Sequence, residues 1–336
     1  MARASEEFLL AWQSLPQAGT EHGWQTISVT SPSACCAIRV GRKYPAGQEA
    51  VLAGFEKVQL SSSEALPEGQ GFFVERVVMD DGWTWLAITC SESGLLDLFV
   101  SMVCDVVGLL DTVSQTNIHT QMHLFIERIR AWQEFMKKGV NALGPEREIG
   151  LIGELAVLNS LLDEGLGCST VVDAWKGPCD GEQDFELGTG AIEVKTTVSQ
   201  TGFPARVGSL LQLDDHIRQP LFLAGVKLRL NPDGFSLPSL VAETRERLKV
   251  APVATAKFDR LLLDAGYFDG HAAHYKRCFL LGELRIYQVT GNFPRLTIGN
   301  VPAGVTAASY CIDLDRDTES RLSLDLILDK LGMKSK

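Results

Sequence analysis

The stretch DFELGTGAIEVKTT, Asp184 to Thr197, decides how this chain is read. Two short runs of alternating apolar residues flank the small turn GTG, a pattern that predicts a β-hairpin. Strand side chains alternate between faces, so Phe185 and Leu187 on one side leave Asp184 and Glu186 on the other. By the same rule Ile192 and Val194 leave Glu193, Lys195 and Thr197 together. Simple pairing of the two strands then brings the carboxylates of Asp184 and Glu193 toward one another.

Two acids and a lysine within a sheet lose hydration if they are buried, and a divalent cation offsets that loss. Oxygens of Asp184 and Glu193, with the backbone carbonyl of Val194 between the two functional side chains, make a ligand set suited to Mg²⁺. Lys195 shares the strand face of Glu193, where an ammonium can orient an attacking water or offset charge developing on a phosphate. A bare Glu-x-Lys on a strand is common on solvated sheet faces. The upstream Asp184, the connecting hairpin and one further acid give the pattern its weight.

That further acid is Glu154. The run GLIGELAVLNSLLDEG predicts a helix starting near Arg147, with Leu151, Leu155, Leu158 and Leu162 on its buried stripe. Glu154 falls three residues after Leu151 and four before Leu158, at the rim of that stripe and not on the solvent face. CSTVVDAWKGP reads as a strand with a Gly-Pro break, VGSLLQLDDHI as a helix, and RLSLDLILDKLG as a strand candidate. LFLAGVKLRL, CFLLGELRIYQVTGNFPRL and VTAASYCIDLDRD read as strands, and SLPSLVAETRERLKV and KFDRLLLDAGYF as helices. The result is an α/β domain with a mixed sheet.

Ahead of it, a short helix in EEFLLAWQSL and strands in CCAIRV, FEKVQLSS, FFVERVVM and TWLAITC predict a β-rich N-terminal part. Helices follow in SESGLLDLFVSMVCDVVGLL and HLFIERIRAWQEFMKKG, and the polar link DTVSQTNIHT between them is the expected hinge. The expected division is therefore residues 1–115, a target-recognition or interaction module, and 116–336, the catalytic domain.

Composition excludes several classes. With 45% hydrophobic residues in 336 the chain has ample material for a core. No apolar run is long enough to cross a bilayer, and MARASEEFLLAW lacks a secretory layout, so a cytoplasmic protein is expected. The eight cysteines are scattered without CxxC spacing, which fits buried thiols and not a zinc site. A net charge of −11 counts against a protein that coats nucleic acid, although Gly190 to Arg260 holds ten Lys or Arg against seven acids. There is no GxxxxGK phosphate loop, no HExxH and no GxSxG elbow.

DFELGTGAIEVKTT resembles the PD-(D/E)xK nuclease signature, with Asp184, Glu193 and Lys195 at its three named positions and Glu154 matching the acid that many members carry on the first core helix. Gln183 stands where the signature's name has proline, a position that varies in the superfamily. Through IGLIGELAVL, DAWKGP, DFEL, AIEVKTT, the segment around SLLQLDD, GNFPRL and SYCIDL, nearly the whole chain is similar to a bacterial family of PD-(D/E)xK motif proteins. The resemblance implies a restriction-endonuclease-like mixed sheet flanked by helices, Mg²⁺-dependent cleavage of DNA with Mn²⁺ as a substitute, and a setting in restriction or antiphage defence. A catalytically silent DNA-binding or scaffolding subunit is the alternative. Arg206, Thr197 and Gln212 are the expected nucleic-acid contacts. Expected partners are DNA, a second copy of the chain, and a separate ATPase or other defence subunit.

Overall fold

Alternating apolar strands and amphipathic helices build two large sheets, each with its own helices, and a small two-stranded one. The computed structural model describes residues 4–17, 19, 22–61, 64–139, 141–179, 181–216, 218–316 and 320–333. Two units emerge, Met1–Val140 and Asn141–Lys336.

The first unit runs α1 (Ser5–Ser14), β1 (Gly23–Ser28), β2 (Cys36–Tyr44), β3 (Gln48–Glu56), β4 (Glu68–Gly69), β5 (Phe72–Val77), β6 (Trp83–Cys90), α2 (Leu96–Thr112) and α3 (Ile118–Lys138). Its strands form one antiparallel sheet in the order β1-β2-β3-β6-β5-β4. Phe8, Trp12, Phe55, Phe99 and Phe125 are buried, with ring contacts joining Trp12 to Phe99 and Phe55 to Phe125. The β-rich N-terminal part is thus present, but the division falls after residue 140 and not at 115. The reason is local: Asp105 on α2 takes a bidentate ion pair from Arg128 on α3 (2.6 and 2.7 Å) and the Trp132 indole N–H (2.7 Å). DTVSQTNIHT is therefore a turn within one unit, and Asn117 in it caps α3 by accepting the Thr120 N–H.

The second unit continues with α4 (Pro145–Asp163), α5 (Cys168–Ala174), β7 (Phe185–Leu187), β8 (Gly190–Thr197), β9 (Pro204–Val207), β10 (Leu221–Phe235), α6 (Leu237–Leu248), α7 (Pro252–Asp264), β11 (Phe279–Val289), β12 (Tyr310–Asp313), β13 (Arg321–Leu322) and α8 (Leu324–Lys330). A five-stranded sheet has the order β13-β11-β10-β8-β7, with β8 and β10 parallel and the other pairs antiparallel. It is a mixed sheet, and both of its faces are covered. Ile192, Val194, Phe222, Ala224 and Val226 face Leu151, Leu155 and Leu158 of α4 together with residues of α5 to α8. Ala191, Leu221, Leu223 and Tyr287 face Phe203, Val207 and Ile312 of the small β9-β12 sheet. Double coverage settles the environment of the hairpin: its charged residues lie inside a layered structure.

Several local expectations change: FEKVQLSS is strand only through Glu56, where Lys57 turns the chain at φ 54°, and the strand in CFLLGELRIYQVTGNFPRL ends at Val289, before turns and bends. CSTVVDA is the helix α5, because Val171, Val172 and Ala174 bury one side of it in the core. RLSLDLILDKLG is chiefly helix: Ser323 accepts the Leu326 N–H, Lys330 lies in the last turn, and Gly332 follows at φ 71°. VGSLLQLDDHI leaves β9 at Val207 and then forms turns and bends over its described residues, held by the contacts given below.

Candidate active site

The hairpin is as the alternation predicts. Phe185 lies opposite Ile192 and Leu187 opposite Gly190, across a two-residue turn whose Gly188 sits at φ +54°, a conformation that favours glycine. β7 ends at Phe185 while β8 runs on to Thr197. The strands part at this point, and the polar groups gather in the gap.

Backbone direction fixes what fills it. A strand residue points its N–H and C=O to the same side, and successive residues alternate. Ala191 donates to Pro220 O on the β10 side (3.0 Å), so Val194, of opposite parity, points toward β7. Beyond the end of β7 its N–H meets Asp184 Oδ2 at 2.7 Å, and its carbonyl is directed into the same gap. Lys176 and Gly177 donate to the Asp184 carbonyl (2.7 and 3.1 Å), which brings the segment after α5 alongside.

Glu154 arrives from α4. Gly153 allows it, since a Cβ there would overlap the Thr196 hydroxyl, and its absence lets α4 lie close against β8. The Glu154 Oε2 atom accepts the Trp175 indole N–H at 2.7 Å. A Cβ on Gly177 would stand 2.7 Å from Glu154 Oε2 and 2.8 Å from Asp184 Oδ1, so these two oxygens border one small space that glycine leaves open. Glu193 is 2% exposed, and its Oε1 holds Lys195 Nζ at 2.5 Å. Glu154, Asp184 and Lys195 are each partly open to solvent, which gives the gap a way in.

The electrostatics follow from burial. Desolvation first, then the charge of Asp184, pushes Glu154 up to about 8, against the Trp175 hydrogen bond and the charge of Lys195. Burial raises Asp184, with the Val194 N–H and Lys195 opposing. Burial and the charge of Asp184 raise Glu193 well above the usual carboxylate range, again against Lys195. Three carboxyls thus share one ammonium. This is a donor set in want of further positive charge: Asp184 Oδ1 and Glu154 Oε2 border the space beside Gly177, and with Glu193 and the Val194 carbonyl they are the residues that would hold a divalent ion.

The expected nucleic-acid contacts separate. Arg206 is exposed on β9. Thr197 is buried at 8%, and its hydroxyl oxygen accepts the Ser199 N–H, so its side chain is engaged in a local turn. Gln212 turns inward: its Oε1 accepts from Lys195 Nζ (3.0 Å) and from the Gly208 N–H (2.7 Å).

A second donor cluster lies a few residues further on. Asp214, Asp215 and His216 each offer one ligand atom, all within 4.8 Å of one another, a set able to coordinate a divalent metal. Glu154, Asp184 and Glu193 do not meet that spacing. Sequence reasoning passed over the cluster because three adjacent residues have no ligand spacing to notice; DDH was the available signal. Asp214 takes both the His216 ring Nδ1 (2.6 Å) and backbone N–H (3.1 Å), and Asp215 takes Arg295 (2.9 Å). Burial pushes the Asp214 carboxyl up, and the His216 hydrogen bonds outweigh it and hold it below its ordinary value. A metal there competes with partners already in place.

No helix among the described residues is long and apolar enough to cross a membrane. Comparison with known proteins gives no significant match to a curated protein or to a solved structure. One family model, described as "Putative PD-(D/E)XK family member, (DUF4420)", matches residues 9–315. With most of its length matched and Asp184, Glu193 and Lys195 gathered where two strands part, the chain belongs to this PD-(D/E)XK family.

Proposed function

We propose that this protein is a divalent-metal-dependent DNA endonuclease that hydrolyses phosphodiester bonds with an activated water and serves in restriction or antiphage defence. The observation that carries the reading is the gathering of three carboxyls with raised pKa values around one lysine, where Glu193 is buried and Glu154, Asp184 and Lys195 are partly exposed.

Asp184, Glu193 and the Val194 carbonyl hold the cation, Mg²⁺ with Mn²⁺ as a substitute, and Glu154 supports it directly or through its waters. When bound, the ion polarises a phosphate oxygen and lowers the pKa of water. Asp184 keeps one oxygen on the Val194 N–H, so its other oxygen is held in a fixed direction. The Lys195 ammonium, 2.5 Å from Glu193, orients the attacking water and offsets charge developing on the phosphate. Trp175 fixes the Glu154 carboxylate through its indole N–H. Arg206, exposed on β9, contacts a backbone phosphate. DNA as the substrate rests on family membership. A second copy for the second strand, a separate ATPase subunit and target reading by the N-terminal unit belong to the same reading.

The test is incubation of supercoiled and linear DNA with the purified protein in Mg²⁺ or Mn²⁺, beside Glu193→Ala and Lys195→Ala. Conversion that disappears in both variants is expected. Equal conversion by all three proteins, or intact DNA with the wild type in both metals, refutes hydrolysis at this site.

A further inference from the structure

We propose that Gln212 is the positioning residue that holds the Lys195 ammonium beside Glu193, a role that rests on the nuclease reading above. A lysine on a four-carbon stem is mobile, and one ion pair does not fix its direction. Here the ammonium has two acceptors, Glu193 Oε1 at 2.5 Å and Gln212 Oε1 at 3.0 Å. The same amide oxygen accepts the Gly208 N–H at 2.7 Å, so the acceptor is itself held in place.

The segment bearing Gln212 is built for this. It is not a helix, and the backbone carbonyls on both sides of Gln212 have tertiary partners. Arg295 donates to Leu213 O at 2.6 Å and to Asp215 Oδ1 at 2.9 Å, while Gln183, directly before Asp184 in the chain, reaches Leu211 O at 3.5 Å. Arg295 and Gln183 are themselves largely enclosed, with a side-chain exposure of 9% for Arg295 and a residue exposure of 2% for Gln183. Gln212 is therefore presented to the gap from a braced turn.

Residue type matters as well. Three carboxyls already crowd this site, each with its pKa raised by burial. An amide oxygen orients an ammonium without adding a fourth negative charge. A glutamate at 212 holds the lysine equally well but deepens the acidic field, and a methionine keeps length and packing while offering no comparable acceptor.

The experiment uses the full-length wild type, Gln212→Met and Gln212→Glu. Lys195 is titrated with limiting acetic anhydride in metal-free protein and quantified by peptide mass spectrometry; kcat and KM for DNA cleavage are measured in parallel. Acetylation of Lys195 rises on the order of ten-fold in Gln212→Met, the loss expected for one hydrogen bond to a charged group, and falls to the wild-type rate or below it in Gln212→Glu, where the added negative charge also favours the ammonium. Lysines elsewhere react unchanged. In Gln212→Met kcat falls about ten-fold or more while KM stays within about two-fold. Wild-type acetylation in Gln212→Met overturns the proposal, as does a raised KM with kcat intact, which would make Gln212 a substrate contact. Labelling that shifts as expected in a protein that cleaves no DNA leaves the positioning role standing and removes the nuclease reading. Intact cleavage with unshifted labelling does the reverse.

Discussion

Glu154→Gln stabilises the metal-free protein, and the gain grows with pH. In the unfolded chain this carboxyl ionises near 4.5, while burial and the charge of Asp184 push it up to about 8 in the folded state. The folded value is the higher one, so stability from this group is complete below pH 4.5 and is lost as pH rises toward 8. At about pH 7 the unfolded chain has released the proton and most folded molecules still hold it. Linkage then costs the wild type up to about 3 kcal/mol, and at about pH 5 roughly 1 kcal/mol or less. Glu154 is partly open to solvent, and screening brings the first figure to about 2 kcal/mol. Glutamine never ionises and still offers Trp175 an acceptor, so it escapes this cost and keeps the hydrogen bond.

Hydrogen exchange of the slow amides of β8 and α4, followed by mass spectrometry in chelator, reads the effect within the second unit alone. A gain of about 2 kcal/mol slows exchange roughly 30-fold at pH 7, against a small change at pH 5. Adding Mg²⁺ stabilises the wild type more than the variant, because the ion favours the ionised form. A Glu154→Gln protein that exchanges faster than wild type at both pH values, or by the same factor at both, shows that the Glu154 carboxyl is not strained by burial.

The other predictions concern different parts of the site. Gly153→Ala forces a methyl group into the Thr196 hydroxyl and costs about 1–3 kcal/mol in thermal unfolding, most of it recovered when Thr196→Ala is added; additive losses in the double variant would refute the close approach. Trp175→Phe removes the hydrogen bond that favours ionised Glu154, so the acid limb of the pH profile of cleavage moves to higher pH, and a move in the opposite direction contradicts the assignment. Arg206→Ala weakens binding to unrelated DNA sequences alike and lowers the salt slope of log K by about 1, whereas a sequence-dependent loss would assign Arg206 to base reading.

Much of the site was legible because its pattern is short-range. Alternation along β8 puts Glu193 and Lys195 on one face whatever surrounds the strand, and the small turn brings Asp184 opposite. Glu154 could be placed at the rim of its helix by spacing alone. The segments that were misread share a cause. The β-branched residues of Val171-Val172 suggest a strand, but tertiary burial on the α4 side makes a helix of them. The apolar spacing of VGSLLQLDDHI suggests a helix, yet Asp214 bonds the His216 N–H in a local turn and Arg295, some 80 residues away, claims the carbonyl and carboxylate on either side. Such partners leave no trace in local periodicity. The same holds for the unit boundary, since the Asp105–Arg128 pair that joins α2 to α3 spans 23 residues.

The sequence by itself determined the family pattern, the hairpin, the identity of the acids and the lysine, and the helix that carries Glu154, because each rests on side-chain direction over a few residues. Tertiary structure alone decided that both faces of the sheet are covered, so that these charges are desolvated and their pKa values rise. It also decided that Thr197 turns to its own backbone and Gln212 to Lys195. Burial and long-range hydrogen bonds depend on what the rest of the chain brings alongside, and no local window of residues specifies that.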